Sequence, residues 1–102
     1  MPTLRIEHPI SDFAVWRTAF DRIADQRRAA GALRERVSRP VDDPRYVLID
    51  LDFATREQAE RFLGFLQTSV WAIPANSPAL AGRPVTRVLD IEFEAVAGDA
   101  EP

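Results

Sequence analysis

From residue 3 to residue 8 the chain reads Thr-Leu-Arg-Ile-Glu-His, apolar and polar in turn, the period of a strand with one buried face. Pro9 has no N–H to continue a ladder and ends it. The period then lengthens. Phe13, Trp16, Phe20, Ile23 and Ala30 recur at helical spacing, interrupted only by Arg27, and predict one helix with a single apolar stripe. Ser11 is placed to cap it, Asp12 suits the positive end of its dipole, and Ile10 can staple onto Val15. Gly31 follows as the residue that closes the helix in a left-handed conformation.

Alternation returns over Leu33–Arg39, stops at Pro40, and resumes after the turn Val41-Asp42-Asp43-Pro44. Across Arg45–Phe53 it is clearest, with Val47, Ile49, Leu51 and Phe53 on one side and Tyr46, Leu48, Asp50 and Asp52 on the other. Thr55 with Gln58 forms a capping box ahead of a second helix, whose stripe is Ala59, Phe62, Leu63, Leu66 and Val70. Pro74, Pro78 and Pro84 forbid a continuous helix from 72 to 84. Val85–Phe93 alternates again, with Leu89, Ile91 and Phe93 together. The order β-α-β-β-α-β is the α+β, ferredoxin-like arrangement. Right-handed crossovers give a four-stranded antiparallel sheet of order 4-1-3-2, with two helices on one face. A single domain over residues 1–95 is expected, followed by a flexible tail over 96–102.

The 102 residues suit one domain, and a net charge of -3 gives no electrostatic reason to expect nucleic acid or an anionic membrane as partner. No apolar run reaches the roughly 20 residues of a membrane span, so a cytoplasmic location is expected. There is no cysteine, and all thirteen basic residues are Arg. Disulfide scaffolds, thiol nucleophiles, Schiff-base lysines and the Walker lysine are therefore excluded. His8, the one histidine, cannot build a three-histidine zinc site, and the four glycines form no phosphate loop. Neither metal nor cofactor is expected. The carboxylates Asp50, Asp90 and Glu92 read as partners of Arg5 on a salt-linked sheet face rather than as metal ligands.

Topology gathers the remaining chemistry at one end of the sheet. His8 ends the first strand on the side of Leu4 and Ile6, beneath the helices. Arg87 shares a side with Leu89 and Ile91 and is expected at the same rim. Trp16, Trp71 and Asn76 complete the cluster. His8 would be the general base, Arg87 would steady an oxyanion, the two tryptophans would hold a flat ring, and Asn76 would contact the ligand. Each residue also has a plain reading. His8 can be an ordinary strand-end residue, Trp16 core packing, Trp71 a plug, Arg87 a snorkelling side chain and Asn76 a turn residue.

The stretches Ser11-Asp12-Phe13-Ala14-Val15-Trp16-Arg17-Thr18-Ala19-Phe20, Ala29-Ala30-Gly31-Ala32-Leu33, Asp42-Asp43-Pro44, and Leu51-Asp52-Phe53-Ala54-Thr55 followed by Glu57-Gln58-Ala59-Glu60-Arg61-Phe62 resemble the dimeric α/β-barrel superfamily. That resemblance covers about residues 3 to 94 and rests on a pattern of faces. It implies a homodimer joined through the sheet faces, with helices outside. It also implies several possible activities, among them cofactor-independent antibiotic biosynthesis monooxygenases, haem-degrading oxygenases and muconolactone isomerases. The haem-degrading members have a later histidine on iron, which this chain lacks. Two functions are thus expected side by side: a cofactor-independent monooxygenase or isomerase acting on an aromatic or polyketide-like acid, or a non-catalytic homodimer that binds a small molecule or serves in stress.

Overall fold

The computed structural model describes residues 1–98. The expected tail over 96–102 therefore lies outside the described residues from position 99 onward. Four strands, β1 (Pro2–Pro9), β2 (Arg34–Ser38), β3 (Tyr46–Asp52) and β4 (Val85–Asp90), form one sheet in the order β2-β3-β1-β4. All three pairings are antiparallel. The fold is α+β and ferredoxin-like. Helices α1 (Phe13–Arg22), α2 (Ala24–Ala29) and α3 (Arg56–Phe65) lie on one face. Beneath them Leu4, Ile6, Val47, Ile49, Leu51 and Phe53 make a dry layer with Trp16, Ala59 and Phe62.

The second helix starts as its sequence requires. Thr55 accepts from the Gln58 N–H at 3.1 Å, while the Gln58 side chain accepts from the Thr55 N–H at 3.2 Å. Its C-terminal end widens into a π-helical turn over Leu66–Val70, which delivers Val70 and Trp71 to the top of the sheet.

The first helix departs from expectation at both ends of its stripe. Asp12, in extended backbone, is the cap and accepts from the Val15 N–H at 2.9 Å. The Ser11 N–H donates to the Ala79 carbonyl, which ties the helix entry to the 77–81 loop. Val15 is exposed, so the expected staple from Ile10 does not form. Ile10 instead pairs with Leu80 in an isolated bridge. The helix also breaks at Ile23 into α1 and α2. Arg27 accounts for the break: its Nη1 donates to the Phe20 carbonyl at 2.5 Å, an oxygen that an unbroken helix would give to the Ala24 N–H. Gly31 ends α2 with φ 101°, where a Cβ would fall 2.7 Å from the Gln58 amide nitrogen.

Strand β4 is correctly placed but shows its other side. Leu4 pairs with Val88 and Ile6 with Thr86, so Val88 and Thr86 share the helix-covered face. Arg87 lies opposite Arg5, and Leu89 opposite Thr3, on the open face. Alternation marks two sides of a strand without saying which is inside, and a one-residue change of phase exchanges them. Here β1 decides, because its Leu4, Ile6 and His8 are all committed to the core.

Candidate functional site

The end of β1 brings His8 under the start of α1, where the side chain is buried at 2% exposure. Its Nδ1 lies 2.9 Å from the Pro9 carbonyl, a geometry in which Nδ1–H donates. That fixes the tautomer and leaves the Nε2 lone pair free. Nε2 has no partner among the described residues and is not sealed off, because the imidazole lines a cavity. Burial pushes the His8 pKa below the usual histidine value, an effect partly offset by the Pro9 carbonyl. The ring is therefore neutral near pH 7, with Nε2 a hydrogen-bond acceptor and a base.

Trp16 stands edge-on to His8 at 6.4 Å between ring centroids and stacks on Phe20 at 4.9 Å. The Arg27 guanidinium then covers Phe20 at 3.6 Å. These four residues form a ladder from the rim of the sheet back along the helices. Trp71 and Asn76 reach the same cavity from the opposite wall, delivered by the π-helical turn and by the 3₁₀ turn Pro74–Asn76. The Asn76 Nδ2 donates to the Ser69 carbonyl at 2.8 Å, leaving its Oδ1 without a partner among the described residues. Ile10, Ser11 and Ala81 zip the 77–81 loop over the top, and Gly82 sits so close to Pro9 that a Cβ would come within 2.9 Å of its ring.

The space available to the centre of a water-sized sphere is ≈ 50 Å³. One water needs about 10–15 Å³ by that measure, so the site holds several waters or the leading edge of a flat ring. Ala19, Ile23, Val70 and Asn76 are shared with a wider surface groove of ≈ 310 Å³, so the cavity continues between α1 and the π-helical turn. Trp71 is only half-buried and stands in this wall.

Four of the five residues singled out from the sequence, His8, Trp16, Trp71 and Asn76, thus meet in one cavity. Arg87 does not. It is exposed on the opposite face of the sheet, because the register sets it across from Arg5, and it cannot steady an oxyanion beside His8. The cation that lines the cavity is Arg27, 4% exposed, held by Nε to Glu35 at 2.6 Å and by Nη1 to Phe20. In the sequence Arg27 shows only as a gap in an apolar stripe. The signal was that gap: a charged residue on a stripe is buried only where partners meet its polar atoms. No group of three or more histidines, carboxylates or thiols suited to a metal exists among the described residues. No described helix is long and apolar enough to cross a membrane.

No family model matches the chain, and no curated protein matches it in sequence. Solved structures do match in fold. An antibiotic biosynthesis monooxygenase superposes with a TM-score of 0.66 at 11% identity, covering 89% of this chain and 98% of its own. Two dimeric ferredoxin-like proteins from an uncultured marine organism superpose at 0.68 and 0.65, with 8% and 13% identity. They cover 94% and 92% of this chain, and 99% and 96% of their own. The chain therefore has the fold shared by antibiotic biosynthesis monooxygenases and dimeric ferredoxin-like proteins. At these identities the likeness concerns fold alone.

Proposed function

We propose that the chain is a cofactor-independent monooxygenase for a small aromatic, phenolic or enolisable, molecule, with His8 as general base. The observation that carries this reading is the buried imidazole of His8 in the wall of an aromatic-lined cavity, its pKa pushed down by burial and its Nε2 without a partner among the described residues. His8 Nε2 takes the phenolic or α-proton, and Trp16 and Trp71 flank the ring. The electron-rich anion passes one electron to dioxygen, and the radical pair joins through a new C–O bond. The resulting hydroperoxide loses water to leave a carbonyl. For 1-naphthol the balance is one phenol plus one O₂ giving one 1,4-naphthoquinone plus one H₂O. Seating a ring requires Trp71 to yield toward the surface groove, since typical ligand pockets span about 300–1,000 Å³.

Oxygen uptake and quinone absorbance with 1-naphthol test the reading. His8→Ala should lower kcat by at least about 10²-fold while circular dichroism and melting temperature stay near the parent. Unchanged turnover would reject His8 as the base. The small cavity favours one other reading, a homodimeric module that binds such molecules without chemistry. Quenching of the two tryptophans by 1-naphthol with no oxygen uptake would select it.

The functional unit proposed is a homodimer joined through the open sheet face. Supporting this are Val85 and Leu89, which sit on that face at 52% and 39% exposure, and Ile91 just past the strand, 42% exposed and beside Arg5 and Asp50. An edge strand whose apolar side points away from its own core calls for cover from elsewhere.

A further inference from the structure

Arg27 is more than a brace for the α1–α2 break. Its Nε and Nη1 are engaged by Glu35 and the Phe20 carbonyl, but Nη2 has no partner among the described residues. The side chain is nearly fully buried, and among the described residues no buried side-chain nitrogen or oxygen is left both sealed and unpaired. Arg27 lines the same cavity as His8, and its Nη2, neither sealed nor paired among the described residues, is free to donate to a ligand there. Glu35, with its side chain 35% exposed, is partly hydrated and spends its charge partly on water. The remaining N–H donors keep a fixed planar fork that suits a carboxylate or an acidic carbonyl oxygen. His8 offers the complementary chemistry at the other end of the Trp16–Phe20 ladder, accepting a proton rather than donating one.

We infer that Arg27 is a substrate-recognition residue, and that the substrate is a flat aromatic acid with an ionisable hydroxyl or C–H at the His8 end and a carboxylate at the Arg27 end. The inference rests on the pocket reading above and adds the ligand's anionic group and its orientation. Arg22, exposed in the adjoining groove, adds positive charge along the way in.

The test compares 6-hydroxy-2-naphthoate with its methyl ester, which keeps the ring and the hydroxyl but removes the charge. Binding is followed by tryptophan quenching and by calorimetry. The parent protein should bind the acid at least about tenfold more tightly than the ester, the scale of one charge-assisted hydrogen-bond pair. Arg27→Gln should erase that preference while leaving ester affinity within about twofold, and Arg27→Lys should restore part of it. Equal binding of acid and ester by the parent would overturn the inference and leave the pocket reading standing. Equal loss of both ligands in Arg27→Gln, with a lowered melting temperature, would mark Arg27 as a brace only and also overturn it. Failure of both the acid and the ester to bind the parent would sink the pocket reading itself. Glu35→Gln guards against misfolding as a confounder: it loosens the same brace without removing the guanidinium, and the acid preference should persist.

Discussion

The two faces of the sheet differ in how they treat charge. Under the helices, β1 and β3 contribute Leu4, Ile6, Val47, Ile49 and Leu51, and the two basic side chains admitted there, His8 and Arg27, are each held by a backbone carbonyl. On the open face charge is plentiful and partly paired. Arg5 forks onto Asp50 at 2.8 and 2.9 Å, Thr3 donates to Asp52 at 2.5 Å, and Tyr46 donates to Glu7 at 3.1 Å. The covered face therefore gains stability from burial and isolates two groups whose chemistry changes with burial. The open face keeps its charges screened and gains little from them. Chemistry is expected on the first face and assembly on the second.

The largest effect should come from opening the dry layer. Phe53 is fully buried, pairs its backbone N–H with the Pro2 carbonyl, and meets the Phe62 ring at 6.1 Å. Phe53→Ala removes a ring from a close-packed layer and should lower unfolding free energy by about 3–5 kcal/mol in urea titrations. A loss under about 1 kcal/mol would mean that the layer collapses around the gap and is not the rigid floor the site requires.

A smaller effect, specific to the site, is the pH dependence carried by His8. Its folded-state pKa is lowered, so the unfolded chain binds the proton more readily than the native one. The His8 contribution is fully present above the ordinary histidine value of about 6.5 and is lost as pH falls through that value toward the lower folded one. The slope it adds approaches about 1.4 kcal/mol per pH unit within that window. Stability measured from pH 7.5 to 5 should fall less steeply in His8→Gln than in the parent. Identical slopes would show that His8 is not held neutral by its surroundings.

Much of this architecture is legible in the chain, and the misreadings have a common cause. β3 and α3 announce themselves because their signals are local: two unlike sides in Tyr46–Asp52, and a capping box whose hydrogen bonds join residues three apart. His8 was legible as an inward residue because β1 has only one apolar side. β4 was not, since Leu89 and Ile91 are apolar but its partner strand had already assigned the inside to Thr86 and Val88. Arg87 moved to the wrong face with them. Arg27 is not legible because its worth depends on Glu35, eight residues on, and on the Phe20 carbonyl it takes from the helix. Ser11 and Asp12 can both cap a helix; the helix begins at Phe13, which makes Asp12 the cap, while the Ser11 N–H ties the entry to the Ala79 carbonyl in the 77–81 loop. Each difference turns on a partner beyond the turn or strand pair in which the residue is read.

The smallest effect tests the open face. Arg5 and Asp50 have side chains 36% and 24% exposed, and Asp50 holds the Arg5 pKa above its ordinary value mainly through their hydrogen bonds. In a lone chain solvent screens such a pair, and Asp50→Asn should cost no more than about 1 kcal/mol. Cover from a second copy would change that, because a buried ion pair that loses one partner leaves an uncompensated charge. The cost of Asp50→Asn should therefore grow with protein concentration, and sedimentation should show the variant dissociating more readily than the parent. Leu89→Asp, which sets a new carboxylate on the same face, should dissociate it further while leaving the lone chain folded. A cost that stays small and constant across concentration, with the parent sedimenting as a single chain, would return this face to water and leave the apolar row of β4 without a purpose in assembly.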